Sequence, residues 1–354
     1  MTSPERVACA LSLGQPDRVP LVEFIIDPAV WSAVMPDCSS AQDFMDRMGY
    51  DGVCCRPVYQ WVRKNDDGTA IDEWGVTYRT GDTEVVAHPV RGPIESMADA
   101  RAYRPPDPHA PHRLDEIRDS VLRYKGKRAI LLHHRAAFMW AAYLMGMDNL
   151  LAALLSERHL AEYVMDMVLE TNMELAREAV RLGTEVVVLA DDYASNMGPM
   201  VSPELVRTQL APRLAKMVEL VHHQGALVIK HTDGNIYSIL DILVDTGIDG
   251  INPVEPVAGM ELKTVKKLVG DRVCLVGNID CGELLTNGKP ADVAAAVRDA
   301  VRDAADGGGF ILSSSNSIHS SVKPENLVAM IEAARQWGCY AAGLHRAASP
   351  LNGD

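Results

Sequence analysis

The chain has 354 residues, with 34 Lys and Arg against 48 Asp and Glu, for a formal net charge of −14. That acidic balance argues against a nucleic-acid backbone or an anionic membrane as partner, because both attract basic surfaces. Hydrophobic residues make up 47% and charged residues 23%, an ordinary globular balance, and no apolar run approaches the roughly 18 residues of a membrane span.

Met1 to Arg6 carries charge and no apolar run follows it, so no secretory signal is visible and the expected location is cytoplasmic. An opening helix over Pro4 to Leu13 leads through the turn cluster Gln15 to Pro20 into a strand over Leu21 to Ile26. A second strand over Asp51 to Val58 contains Cys54 and Cys55. The seven cysteines form no CxxC pair, so these two are expected to pack as small hydrophobes. Turn signals at Asp67-Gly68 and Gly81-Asp82 flank β-rich pieces at Val76 to Tyr78 and Glu84 to Val86, which predicts a β-hairpin inserted over 66–90.

A helix over Leu114 to Tyr124 precedes a strand over Ala129 to Leu132 that ends in His133-His134-Arg135, and helical stretches follow over Ala137 to Leu155 and Glu157 to Leu182. From Glu185 onward strands and helices alternate with short loops, which argues for a parallel sheet covered by helices. Leu21, Val53, Ile130, Val186, Leu227, Ile251, Val273 and Phe310 serve as eight strand centres, the number that closes a (β/α)8 TIM barrel. The competing doubly wound sheet places a glycine-rich turn after its first strand, whereas here Asp27-Pro28 follows, and Gly307 to Gly309 precedes a strand. The expected fold is therefore a TIM barrel over 1–345 with the hairpin insertion, followed by a tail over 346–354.

Several apolar runs end in polar clusters: Val186 to Ala190 in Asp191-Asp192-Tyr193, Ala226 to Ile229 in Lys230-His231-Thr232-Asp233-Gly234-Asn235, Val273 to Val276 in Gly277-Asn278-Ile279-Asp280, and Phe310 to Leu312 in Ser313 to His319. Barrel enzymes keep their chemistry at such carboxyl ends. His231 and Asp233 are the expected catalytic pair. Asp191, Asp192, Asn278, Asn316, Glu255 and His134 are the expected substrate contacts. Plainer readings stand beside these: Asp191-Asp192 as a helix cap and the asparagines as turn residues. Met139, Met145 and Met147 near Trp140 are read as core, or as the soft mouth of a pocket for a flat cofactor.

The chain resembles the uroporphyrinogen decarboxylase superfamily, which includes the decarboxylase and corrinoid-dependent methyltransferases. The likeness lies in Pro16 to Pro20, His223-x-Gly225, His231 to Gly234, Gly277 to Asp280, and Gly308 to Leu312 followed by Pro324-Glu325-Asn326. The resemblance implies decarboxylase arginines after the opening motif, but Leu21 to Val30 holds Glu23 and Asp27 and no arginine. An acidic wall there disfavours a polycarboxylate substrate, the alternative decarboxylase or lyase reading. It also implies a zinc set of His-x-Cys and a later Cys. Here the first is His231-Thr232-Asp233 and the second falls at Asn316, so no metal is expected unless Cys281 or His319 serves as a third ligand. The branch implied is methyl transfer between a cobalamin carried by a partner corrinoid protein and a pterin such as tetrahydrofolate, whose ring donors suit carboxylates. A homodimer is compatible with the same resemblance.

Overall fold

A computed structural model describes residues 1–79 and 88–340. The Glu84 to Val86 part of the expected hairpin and the tail 346–354 lie outside the described residues. In chain order the strands are β1 (Gly52–Cys55), β2 (Trp61–Lys64), β3 (Thr69–Asp72), β4 (Thr77–Arg79), β5 (His88–Arg91), β6 (Ala129–His134), β7 (Val186–Ala190), β8 (Ala194–Ser195), β9 (Gly198–Pro199), β10 (Leu227–His231), β11 (Gly250–Asn252), β12 (Cys274–Ile279) and β13 (Phe310–Ser314). The chain divides into two compact units: Met1–Val53 with Gly126–Ala129 and the chain from Gly250 on, and Cys54–Lys125 with Ile130–Asp249.

In the unit containing Ile130–Asp249, β6, β7 and β10 pair in parallel, with Leu131 opposite Val186 and Leu227 opposite Val186 on the other side. β7 is Val-Val-Val-Leu-Ala, buried throughout, the near-continuous apolar run expected of a parallel strand covered on both faces. The covering helix Arg158–Leu182 buries Leu160, Val164, Val168, Leu175 and Ala179 along one stripe and ends at Gly183, whose φ of +126° a side chain rarely adopts.

Two expectations change here. The stretch 137–155 is two helices, Phe138–Met145 and Met147–Ser156, bent by 104° at Gly146, where φ is +88°. A residue with positive φ cannot continue a right-handed helix. In place of a lone hairpin, β2 to β5 form a four-stranded antiparallel sheet. No single helix among the described residues is long and apolar enough to cross a membrane.

The other unit carries the parallel set β11, β12 and β13, with Ile251 opposite Leu275 and Leu275 opposite Phe310. Helices Ser3–Leu11, Pro290–Ala304 and Pro324–Trp337 belong to it. The first is held by a capping box between Thr2 and Glu5. The opening motif serves the fold: the fully buried Asp51 accepts Arg6 Nη1 at 2.6 Å, both Arg18 Nη atoms at 2.8 Å and the Leu21 amide at 2.9 Å. The expected strand over Leu21–Ile26 is reduced to isolated bridges, Leu21 to Leu312 and Ile26 to Ile318. Cys54 and Cys55 are buried, and no disulfide joins any two cysteines among the described residues.

Candidate functional site

Parallel pairing of β7 with β10 puts His231 opposite Ala190 and Lys230 opposite Leu189. The residues that follow each strand therefore emerge side by side. Their loops are stitched together: the Tyr193 amide donates to Thr232 Oγ1 at 2.8 Å, the Asp233 amide to Asp192 Oδ1 at 3.2 Å, and the Asn235 amide to the Ser195 carbonyl at 2.9 Å. Gly234 makes the close approach feasible. Its φ is +89°, and a Cβ there would lie 2.6 Å from the Ser195 carbonyl oxygen. Gly234→Ala is expected to push these loops apart and destabilise the chain by roughly 1–3 kcal/mol, the scale of a strained non-glycine backbone. Urea unfolding beside wild type checks this, and an unchanged midpoint would contradict it.

His231 Nε2 lies 3.4 Å from Asp233 Oδ1 and 3.7 Å from Asp192 Oδ1, with the imidazole about one-seventh exposed and both carboxylates about one-third exposed. The three donor atoms all fall within 4.8 Å of one another. An imidazole between two carboxylates can take up or release a proton while the carboxylates fix its orientation. They can also accept paired N–H donors from a flat ligand. Two carboxylates and one imidazole are an oxygen-rich set without sulfur, which does not fit zinc that binds and activates a thiol through thiolates. Cys281 is buried in the other unit, with its Sγ 3.7 Å from Ser315 Oγ, and His319 Nδ1, also in that unit, accepts the Ser321 amide.

Asp191 has a different occupation from its neighbour. Fully buried, it accepts the amides of Ala136, Ala137 and Met139, each at 3.0 Å. Both oxygens are thereby committed to the start of helix Phe138–Met145, whose N-cap residue Ala137 makes no side-chain cap of its own. It caps a helix on the preceding strand's loop, not the segment that follows it in sequence. His134 is likewise interior: Nε2 lies 2.9 Å from the Asn172 carbonyl, and burial pushes its pKa down to about 4, so the ring is neutral and donates that bond.

Sequence reasoning missed Lys230 as part of this constellation. It is fully buried, donates to the carbonyl oxygens of Asp191 and His231, and sits 4.1 Å from the Tyr193 ring centroid. Burial lowers its pKa to about 8 against the pull of Asp191, Asp192 and Asp233. Its signal was a lysine at the end of an apolar strand run, where an unpaired charge is rarely placed.

The remaining expected contacts lie at strand ends of the other unit. Asn278 Nδ2 donates to the Val254 carbonyl at 3.1 Å, Asn316 Oδ1 accepts the Ser317 amide at 2.6 Å, and the Glu255 carbonyl accepts the Ala258 amide at the start of a short 3₁₀ turn. The acidic wall expected from Glu23 and Asp27 is not presented to a ligand. Glu23 is 2% exposed and held by Ser313 and Ser314, and Asp27 is the N-cap of helix Pro28–Val34, accepting the Ala29 amide at 2.8 Å. Both carboxylates are structural, so they give no ground for rejecting an acidic substrate.

An α/β fold with parallel strands that carry polar groups at their carboxyl ends defines a broad class of enzymes. A methyltransferase from Methanosarcina mazei shares this fold, with a TM-score of 0.73 over 95% of this chain and 99% of its own at 21% identity. Residues 71–337 match the family model described as uroporphyrinogen decarboxylase (URO-D), and the chain belongs to that family. It is 25% identical over 346 residues to the methylcobamide:CoM methyltransferase MtbA of Methanosarcina acetivorans, covering 95% of this chain and 98% of that protein. It is 27% identical to MtaA of Methanosarcina barkeri over 56% of this chain and 55% of that one. A uroporphyrinogen decarboxylase from Dichelobacter nodosus is 24% identical over 45% of this chain and 43% of its own.

Proposed function

We propose that this chain is a cytoplasmic methyltransferase, a single (β/α)8 barrel domain over 1–345. It moves a methyl group between a cobalamin carried by a corrinoid protein and a pterin such as tetrahydrofolate, or another small donor or acceptor. The full-length likeness to a methylcobamide methyltransferase supports the methyl transfer and the corrinoid partner. The observation that carries the residue assignment is His231 Nε2 set between the carboxylates of Asp192 and Asp233.

When bound, the corrinoid supplies the methyl-carrying metal centre. The chain's own residues bind and orient the small molecule and manage its proton. A pterin nitrogen loses a proton when it is methylated and regains one in the reverse direction. In this reading His231 holds that proton, with Asp233 steadying the charged ring and Asp192 held by the Asp233 amide. Asp192 and Asp233 offer oxygens to the amide and amino donors of the pterin ring. Two oxygen ligands and an imidazole assign no role to thiolate zinc.

The test measures methyl transfer from methylcobalamin to tetrahydrofolate through the corrinoid absorption spectrum. Wild type is expected to turn over, and His231→Gln and Asp233→Asn to lose about a hundredfold or more, with unchanged thermal transitions. No transfer by wild type, together with carbon dioxide release from a carboxylated substrate, would establish the decarboxylase or lyase alternative instead.

A further inference from the structure

Alternation along β6, β7 and β10 sorts their polar groups onto two faces. His134, Leu189 and Lys230 stand level with one another. His134 meets the Asn172 carbonyl of helix Arg158–Leu182 at 2.9 Å, so this row faces the helix layer. Successive side chains of a strand point to opposite faces. His133, Val188 and Ile229, which are also level, therefore face away from that helix, and the next row on their face is Ala190 with His231. His133 thus shares the His231 side of the sheet, one row or about 6.6 Å deeper from the strand ends.

The neighbours of His133 close every side but one. Val188 and Ile229 in its row and Leu131 beneath it are 0% exposed, and the row above begins with the small side chain of Ala190. His133 nevertheless keeps part of its surface accessible. Access therefore comes from the strand ends, where His231, Asp192 and Asp233 are themselves partly exposed. Among the described residues the imidazole makes no hydrogen bond or ion pair.

Enclosure, and next the positive charges of Arg135 and Arg56, hold the His133 ring well below its ordinary pKa, so it stays neutral near pH 7. A neutral imidazole carries one N–H donor and one acceptor nitrogen. Polar groups set this deep in a protein are normally hydrogen-bonded, and here the open side leads to the carboxylates already described. The drop of one row from His231 is on the scale of a two-ring heterocycle.

We propose that His133 is the floor contact of the small-molecule site, donating a hydrogen bond to an acceptor on a flat heterocycle whose N–H edge is held by Asp192 and Asp233. The proposal rests on the reading of those two carboxylates as ligand contacts, and adds an acceptor at the far end of the molecule to what the site recognises. A heterocycle with both a donor edge and a ring or carbonyl acceptor, such as a pterin, is thereby favoured over a cation that has donors alone. Binding is measurable without a corrinoid partner, so it can be separated from methyl transfer.

The full-length protein is titrated with pterin, followed by its own fluorescence, and with benzamidine, followed by calorimetry. Benzamidine offers the carboxylates a pair of N–H donors, but its phenyl ring presents no acceptor. His133→Phe is expected to weaken pterin about threefold to tenfold, the scale of one neutral hydrogen bond, and to leave benzamidine within about twofold of wild type. His133→Gln, whose amide can donate, is expected to recover part of the loss. Should His133→Phe not fold, His133→Leu, equally unable to donate, gives the same comparison. Pterin affinity that is unchanged in the variant, or that falls in step with benzamidine, would overturn the inference while leaving Asp192 and Asp233 as ligand contacts. Failure of wild type to bind either probe would remove both readings. Pterin binding that depends on His133, without methyl transfer to tetrahydrofolate, would support this contact and count against the methyltransferase reading alone.

Discussion

Asp191→Ala is expected to destabilise the chain by about 3–5 kcal/mol, the cost of removing one partner from a buried charged network. Its carboxylate accepts three amides at 3.0 Å from Ala136, Ala137 and Met139, and none of these N–H groups has another partner in the helix that follows. Alanine would leave them buried and bare, and would withdraw the negative charge that helps Lys230 stay protonated at full burial. Asp191→Asn is expected to cost less, because one amide oxygen still accepts. Urea unfolding of the three proteins measures the order, and an alanine variant within about 1 kcal/mol of wild type would show that water or relaxation satisfies those amides. Methyl transfer is expected to fall in Asp191→Ala through displacement of the His231–Asp192 pair. His231→Gln, by contrast, is expected to lose activity at unchanged stability.

Glu23→Gln is expected to change stability in a pH-dependent way, in the direction opposite to the usual acidic residue. Glu23 is 2% exposed, and burial raises its pKa from 4.5 to about 7 in spite of hydrogen bonds from the Ser314 amide and hydroxyl at 3.1 and 2.9 Å. Because the folded chain holds this proton more tightly than the unfolded chain, Glu23 contributes most favourably below about pH 4.5. That contribution shrinks as pH rises and is gone above about pH 7. The difference amounts to about 3 kcal/mol, since holding a proton ten times more tightly is worth roughly 1.4 kcal/mol. The glutamine side chain does not titrate, so the variant is expected to gain on wild type by that amount between about pH 5 and pH 8. A difference in unfolding free energy that is flat across this range would refute the buried, proton-holding state. His134 works in the other direction, its neutral ring losing stability to the unfolded state as pH falls from 6.5 towards about 4.

The contrast between Asp191 and Asp192 shows where the sequence ran out. Both follow the same apolar strand, and nothing in their order says which turns inward. Pairing of β7 with β10 and the position of helix Phe138–Met145 direct Asp191 to backbone amides and leave Asp192 beside His231. His231 and Asp233 were legible because an apolar run that ends in His-x-Asp before a helix places them on one loop by connectivity alone. Lys230 stands in the same run, but a lysine at a strand end reads as its boundary until its burial is known. Its contact with the Tyr193 ring was invisible too, because side chains that meet only through folding leave no local pattern.

What the sequence determined by itself is therefore what depends on near neighbours: the alternation of strand and helix, the positions of the caps and turns, and the polar residues that close each strand. Apolar periodicity and strand-end chemistry are short-range properties, so they can be read from order. Tertiary structure decided which of those polar groups are spent on the protein's own backbone and which come together at the loop ends. Asp27, Glu23 and Asp191 went to amides and hydroxyls, while Asp192, His231 and Asp233 came together. The physical reason is that a buried polar group must find a partner, and the identity of that partner depends on which distant segments the packed core brings within about 3 Å.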